Sequence, residues 1–226
     1  PGGEVPSVGA GHLRHPCWLV VWALLLPGLL GAAPVTVTPE LRLGNRQAWR
    51  VVSGDWQVMG GAVKQRERTG RAALILRAPA LRGDLRLSVQ FNIAPVGQGV
   101  RAAAVLFHAT GTLTYYWLHL DSRHRNIIFT RSTPTKPWIE IGRQRCPALT
   151  EGVWHTLQVA RVGNELTVAL DGQEAFRAHD TALTGGRVGL GTSQGRVAFR
   201  QLTIEGEVDP LAAPLQDEQP PYQIIS

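Results

Sequence analysis

The chain has 226 residues, 44% of them hydrophobic, enough to build one sizeable core. The formal net charge of +6 is unevenly spread: residues 205–226 hold five acids and no Lys or Arg, whereas residues 34–204 hold 22 basic and 11 acidic side chains. Nearly all the basic residues are arginines placed singly, which argues against nucleic acid as a partner.

At the N-terminus, His12, Arg14 and His15 precede an apolar run from Cys17 to Leu30, and Gly31, Ala32 and Ala33 follow. This pattern predicts a cleaved signal peptide over residues 1–33 and a secreted or periplasmic protein. The run is short for a bilayer span, so no membrane span is expected in the mature form. Cleavage removes Cys17 and leaves Cys146 single, so no internal disulfide is expected and Cys146 reads as a small buried hydrophobe.

From Pro34 to Val208 the pattern is all-β, with short strands and turn residues alternating and no long helical period. Gly54-Asp55 turns the chain into a strand at Trp56, and Gly60-Gly61 leads into Ala62–Gln65. Ala72–Arg77 is a short apolar strand closed by Pro79. Leu85, Leu87, Val89, Phe91 and Ile93 alternate with Arg86, Ser88, Gln90 and Asn92, which predicts an antiparallel strand with one buried face. Arg101–His108 follows, then Leu113–Arg131 as a strand, a loop at Ser122–Arg125 and a return strand. Trp138–Ile141, Trp154–Arg161, Leu166–Leu170, Arg187–Gly191 and Val197–Ile204 complete the set, with Asp171-Gly172 as a hairpin turn. Many short antiparallel strands over one domain, residues 34–208, predict a two-sheet jelly-roll sandwich. The acidic, Pro-bearing residues 209–226 are expected to be disordered.

The stretch Leu113–Arg131 holds the main candidates. Tyr116, Leu118 and Leu120 fall on one side of the strand, suited to a core. Tyr115, Trp117, His119 and Asp121 fall on the other, an arrangement suited to a polar ligand with a ring, such as a sugar. His119, Asp121 and His124 are candidate acid–base groups, with hydrogen bonding within a polar sheet face as the plainer alternative. Tyr115, Trp117, Asn126, Arg131 and Trp138 are candidate ligand contacts, and packing beneath a loop is the alternative for the aromatic rings. Trp56, Trp154 and His155 read as parts of the fold. No zinc motif, phosphate loop or nucleophile elbow is present, so neither metal nor cofactor is expected.

The segment WHTLQVARVGNELTVALDGQEAF and the later GRVGLGTSQGRVAFRQLTI resemble the closing half of concanavalin A-like, laminin-G-like jelly rolls. GDWQVMGGAVKQ and YYWLHLDSRHRNIIF resemble the 3-keto-disaccharide hydrolase domain family, over most of residues 45–205. The resemblance implies an all-β concanavalin A-like fold, an exported protein, and a glycan as ligand or substrate. The fold is also similar to that of family 16 glycoside hydrolases, whose Glu-x-Asp-x-Glu pattern on one strand has no counterpart here: Glu140 stands alone on its strand, and Glu205 with Glu207 lies at the end of the domain. Two functions stay open: cleavage of 3-keto-disaccharide-like substrates, and a non-catalytic carbohydrate-binding or adhesion module. A third, structural role follows if loops fill the groove.

Overall fold

The computed structural model describes residues 34–41, 48–67, 70–95 and 101–219, and the predicted signal peptide lies outside them. Fifteen strands occur among the described residues: β1 (Val35–Val37), β2 (Trp49–Ser53), β3 (Trp56–Met59), β4 (Ala62–Gln65), β5 (Arg71–Leu76), β6 (Leu81–Ile93), β7 (Ala102–Ala109), β8 (Tyr115–Asp121), β9 (Asn126–Ser132), β10 (Ile139–Arg145), β11 (His155–Val162), β12 (Glu165–Leu170), β13 (Gln173–His179), β14 (Gly185–Ser193) and β15 (Val197–Val208). The described residues contain no helix. All strand pairs are antiparallel.

The front sheet runs β10-β9-β8-β7-β14-β5-β2. The back sheet runs β13-β12-β11-β6-β15, with the β4-β3 hairpin and β1 added along β15. Strand β14 joins the two. Gly185 and Gly186 pair with β6, and the rest of the strand pairs with β7 and β5. A Cβ on Gly186 would lie 2.6 Å from the Ala109 carbonyl oxygen, so the crossing needs a residue without a side chain.

The alternation of β6 is realised as predicted. Leu85, Leu87, Val89, Phe91 and Ile93 are buried against Tyr116, Leu118 and Leu120 of β8 in one core between the sheets. Cys146 is free and lies in this core, where burial pushes its thiol up.

A polar cluster sits at one edge of that core. Arg161 is buried, donates from Nη2 to the Asp180 carbonyl at 3.0 Å and lies over the Tyr116 ring. The Asp180 carboxylate accepts from the Tyr116 hydroxyl, from Arg131 at 3.1 Å and from the Ala182 amide at 2.8 Å. Burial opposes ionisation of Asp180, but these donors and the Arg131 charge outweigh it and hold the carboxyl below its usual range. His108 packs beside Arg161 with Nδ1 3.0 Å from the Leu183 carbonyl, and burial pushes its pKa down to about 4.

Candidate functional site

Strand β8 places its second row of side chains by register. Across the front sheet, Ala73, Gly191, Ala104, His119, Ile128 and Arg143 stand opposite one another, strand by strand. The neighbouring row carries Trp117 between Leu106 and Thr130. The small residues make a floor, and the Trp117 indole lies on it: a Cβ on Gly191 would come within 2.6 Å of Cη2. Gly191→Ala is therefore expected to lower unfolding free energy by about 1–3 kcal/mol, through overpacking under a ring with no room to shift. Chemical denaturation of the variant measures it.

As predicted, Tyr115, Trp117, His119 and Asp121 share one face. That face is not open: Trp117 is 1% exposed, and the other three are also buried. The expectation of Tyr115 and Trp117 as a sugar-stacking platform is corrected accordingly. The cover over Tyr115 and Trp117 comes from the C-terminal segment, whose first part, residues 209–219, is held in place rather than disordered. Leu215 packs against the cluster that contains Tyr115 and Trp117. Around it, Arg187 donates to the Ala213 carbonyl and Arg50 to the Asp217 carboxylate, both at 2.8 Å. Gln216 exchanges backbone hydrogen bonds with Thr110 and Thr112. The Glu218 carboxylate accepts from the Leu113 amide at 2.7 Å and the Thr114 hydroxyl at 2.6 Å. Composition marked this segment as polar, but its polar groups are spent on a turn of the domain.

His119 sits at the edge of the cover. The Trp117 Nε1–H donates to its Nδ1 at 3.2 Å, which leaves the ring proton on Nε2. Burial, with Arg71 and Arg143 adding and Asp121 opposing, pushes its pKa down to about 4. Its ring meets Trp138 edge-on at 5.8 Å between centroids. Trp138 is 39% exposed and carries the Arg71 guanidinium over its ring at 4.8 Å, while Arg71 Nη1 donates to the Pro137 carbonyl at 3.0 Å. Glu140 and Arg143 form a two-pronged pair at 2.6 and 3.0 Å, whose hydrogen bonds hold the Glu140 carboxyl low. Arg71 and Arg143 were missed in sequence. They reach this rim only through the pairing of β5 and β10 with the rest of the sheet, which local periodicity does not report.

Beyond His119 the strand ends at Asp121, and the structure joins it to His124. Asp121 Oδ1 accepts from the amides of Arg123 and His124 at 3.0 and 3.2 Å, fixing the turn. Oδ2 is 2.7 Å from His124 Nδ1. The carboxylate side chain is 5% exposed and the imidazole 54%. An ionised carboxylate only accepts, so Nδ1 carries the proton and Nε2 keeps a free lone pair toward solvent. His155 and Asp171 have the opposite polarity, a buried ring and an exposed acid, and the His155 Nε2 accepts from the Thr150 amide. That pair ties a turn to a hairpin, in keeping with the structural role read for His155.

Asn126 pairs directly with Asp121 on the same face and is half-buried. Arg131 is corrected: it pairs with Tyr116, so it belongs to the opposite face, where Asp180 binds it. Among the described residues no three His, Cys, Asp or Glu side chains converge as metal ligands would.

The sandwich, its sheet order and its polar rim define a concanavalin A-like jelly roll. The chain belongs to the 3-keto-alpha-glucoside-1,2-lyase-like domain family, whose model matches residues 44–205. It is similar in fold to the carbohydrate binding module CBM66 from Bacillus subtilis, at a TM-score of 0.64 and 20% identity, covering 71% of this chain and 96% of that one. A β-1,3-1,4-glucanase derived from a mouse hindgut metagenome aligns at a TM-score of 0.54 and 11% identity, covering 78% and 100%. The Emp47p carbohydrate recognition domain aligns at 0.57 and 13%, covering 76% and 95%. No curated protein matches the chain by sequence.

Proposed function

We propose that this domain cleaves the glycosidic bond of a 3-keto sugar, with His124 as general base and Asp121 as the residue that orients it. The observation that carries this reading is the 2.7 Å contact between the exposed His124 ring and the buried Asp121 carboxylate. A ketone at C3 acidifies the proton on C2, so a single base suffices to start the reaction. His124 Nε2 takes that proton, the electron pair forms a C1–C2 double bond, the C1–O bond breaks, and the departing oxygen is protonated from the imidazolium or from water. This elimination does not require the Glu-x-Asp-x-Glu pattern of family 16 hydrolysis, which is absent from this sequence. Asn126 and the Trp138–Arg71 rim are placed to contact the sugar's hydroxyls. The basic and apolar residues 12–33 support export, which we include in the proposal.

A second reading, a non-catalytic carbohydrate-binding module, is supported by the absent Glu-x-Asp-x-Glu pattern and by the fold shared with CBM66, although the covered Trp117 face cannot serve as its binding surface. Incubating the domain with 3-keto-glucosides and with unoxidised disaccharides separates the two. His124→Ala is expected to lower turnover by about 10²–10⁴-fold with its thermal midpoint retained, since the side chain is exposed. Full turnover in that variant overturns the assignment. Saturable binding by the wild type without any product supports the module.

A further inference from the structure

The back sheet carries a second concavity, remote in sequence from β8. Asn92 of β6 pairs with Ala198 of β15, and Ala198 pairs with Lys64 of β4. His155 pairs with Phe91, so Trp154 enters the sheet beside Asn92. The small Ala198 is therefore the floor, with Lys64 on one side and Trp154 on the other. Two residue pairs along, on the same face, Arg200 stands opposite Gln90. Lys64, Asn92, Trp154 and Ala198 line a hollow of about 420 Å³ together with Arg66 and Arg196, and Arg200 lies against it through the Trp154 ring.

Its side chains are held in place. The Arg200 guanidinium lies 4.0 Å from the Trp154 ring centroid, and its Nε donates to Gln90 Oε1 at 2.8 Å. Both contacts fix the plane of the guanidinium and leave its two terminal nitrogens as a fork. Trp154 stays 38% exposed. Lys64 and Arg200 have no carboxylate partner among the described residues, whereas the neighbouring Arg66 faces Asp55 at 3.7 Å. The hollow thus combines uncompensated positive charge, an exposed indole edge and the Asn92 amide.

We propose that this hollow is a binding site for a carboxylated sugar, the terminal or internal uronate of an acidic glycan. The planar carboxylate matches the Arg200 fork, Lys64 adds a second cation, and the ring's apolar C–H groups meet Trp154. The volume accommodates one or two sugar rings. The site lies on the opposite sheet from His124 and stands whether or not that residue is catalytic.

The test is titration calorimetry of the whole chain with trigalacturonate, with maltotriose as neutral control and a short single-stranded oligonucleotide as a second anion. Trigalacturonate is expected to bind, more weakly at high salt, and maltotriose at least tenfold less tightly. Lys64→Ala and Arg200→Gln are each expected to weaken binding about tenfold. His124→Ala is expected to leave it unchanged. Equal affinity for maltotriose, no effect of either substitution, or tighter Lys64-dependent binding of the oligonucleotide overturns the proposal. Should Arg200→Gln disturb folding, Lys64→Ala alone decides, because the Lys64 side chain has no hydrogen bond or ion pair among the described residues.

Discussion

Lowering the pH from 7 to 5 is expected to remove about 4 kcal/mol of unfolding free energy, through two histidines that fold as neutral rings. His108 and His119 both titrate at about 4 in the folded chain, against 6.5 when unfolded. Burial is the main cause in each. His108 faces Arg161, and His119 faces Arg71 and Arg143, so each ring also meets positive charge. The Leu183 carbonyl and Asp121 pull the other way without prevailing. Between the two pKa values the unfolded chain binds protons that the native chain does not. Stability therefore rises with pH in this window and is lost as pH falls through it. Each histidine contributes a slope approaching 1.4 kcal/mol per pH unit. Asp180, held low by its donors, acts in the same sense only below the ordinary carboxylate range, so the span from pH 7 to 5 isolates the histidines. Denaturant titrations at several pH values measure the slope. His108→Asn is expected to halve it, and asparagine suits the site because His108 has a φ of 51°. A flat profile from pH 7 to 5 contradicts both assignments.

Trp117→Ala is expected to cost about 3–5 kcal/mol, a large share of the stability of a domain of this size. The indole fills the space above Gly191, packs at a tilt against Tyr115 with centroids 5.8 Å apart, lies under Arg71 and belongs to the cluster that Leu215 packs against. Its removal leaves a cavity that a rigid sheet floor cannot close, and it strips His119 Nδ1 of its donor. The loss is larger than for an exposed stacking residue, whose truncation removes little from the folded state. Denaturation with a retained two-state transition measures it. A loss under 1 kcal/mol shows the ring to be loosely covered and returns it to the list of ligand contacts. Trp138→Ala serves as the contrast, since its ring is already at the surface.

Most strands were legible as short apolar or alternating runs between turn residues, whereas β1 and β13 were not read. The run from Leu85 to Ile93 alternates without a break, and its buried set is the one the alternation names. The grouping of Tyr115, Trp117, His119 and Asp121 was legible for the same reason. The burial of Tyr115 and Trp117 was not, because the residue packed over their cluster, Leu215, lies about a hundred residues later in the chain. An acidic, proline-bearing segment looks unfolded by composition, yet a few well-placed acceptors and one leucine are enough to hold it. The face of Arg131 is open in the sequence because it depends on pairing with Tyr116, and pairing registers are set by turns and bulges across the sheet. The Asp121–His124 contact was visible as spacing, but the contrast between a buried acid and an exposed ring belongs to the folded turn. Trp154, read as part of the fold signature, also shows its ring to solvent.

Strand β14 has a bearing on how the sandwich comes apart. Two stacked sheets joined only by loops can separate, each keeping its own ladders for a time. Here one strand is hydrogen-bonded into both, to β6 at its start and to β7 and β5 beyond. Neither ladder can be peeled away without disturbing the other. Amide protons in the middle of β6 and of β7 should therefore exchange with solvent through a shared opening event, at one common free energy, and not as two independently melting halves.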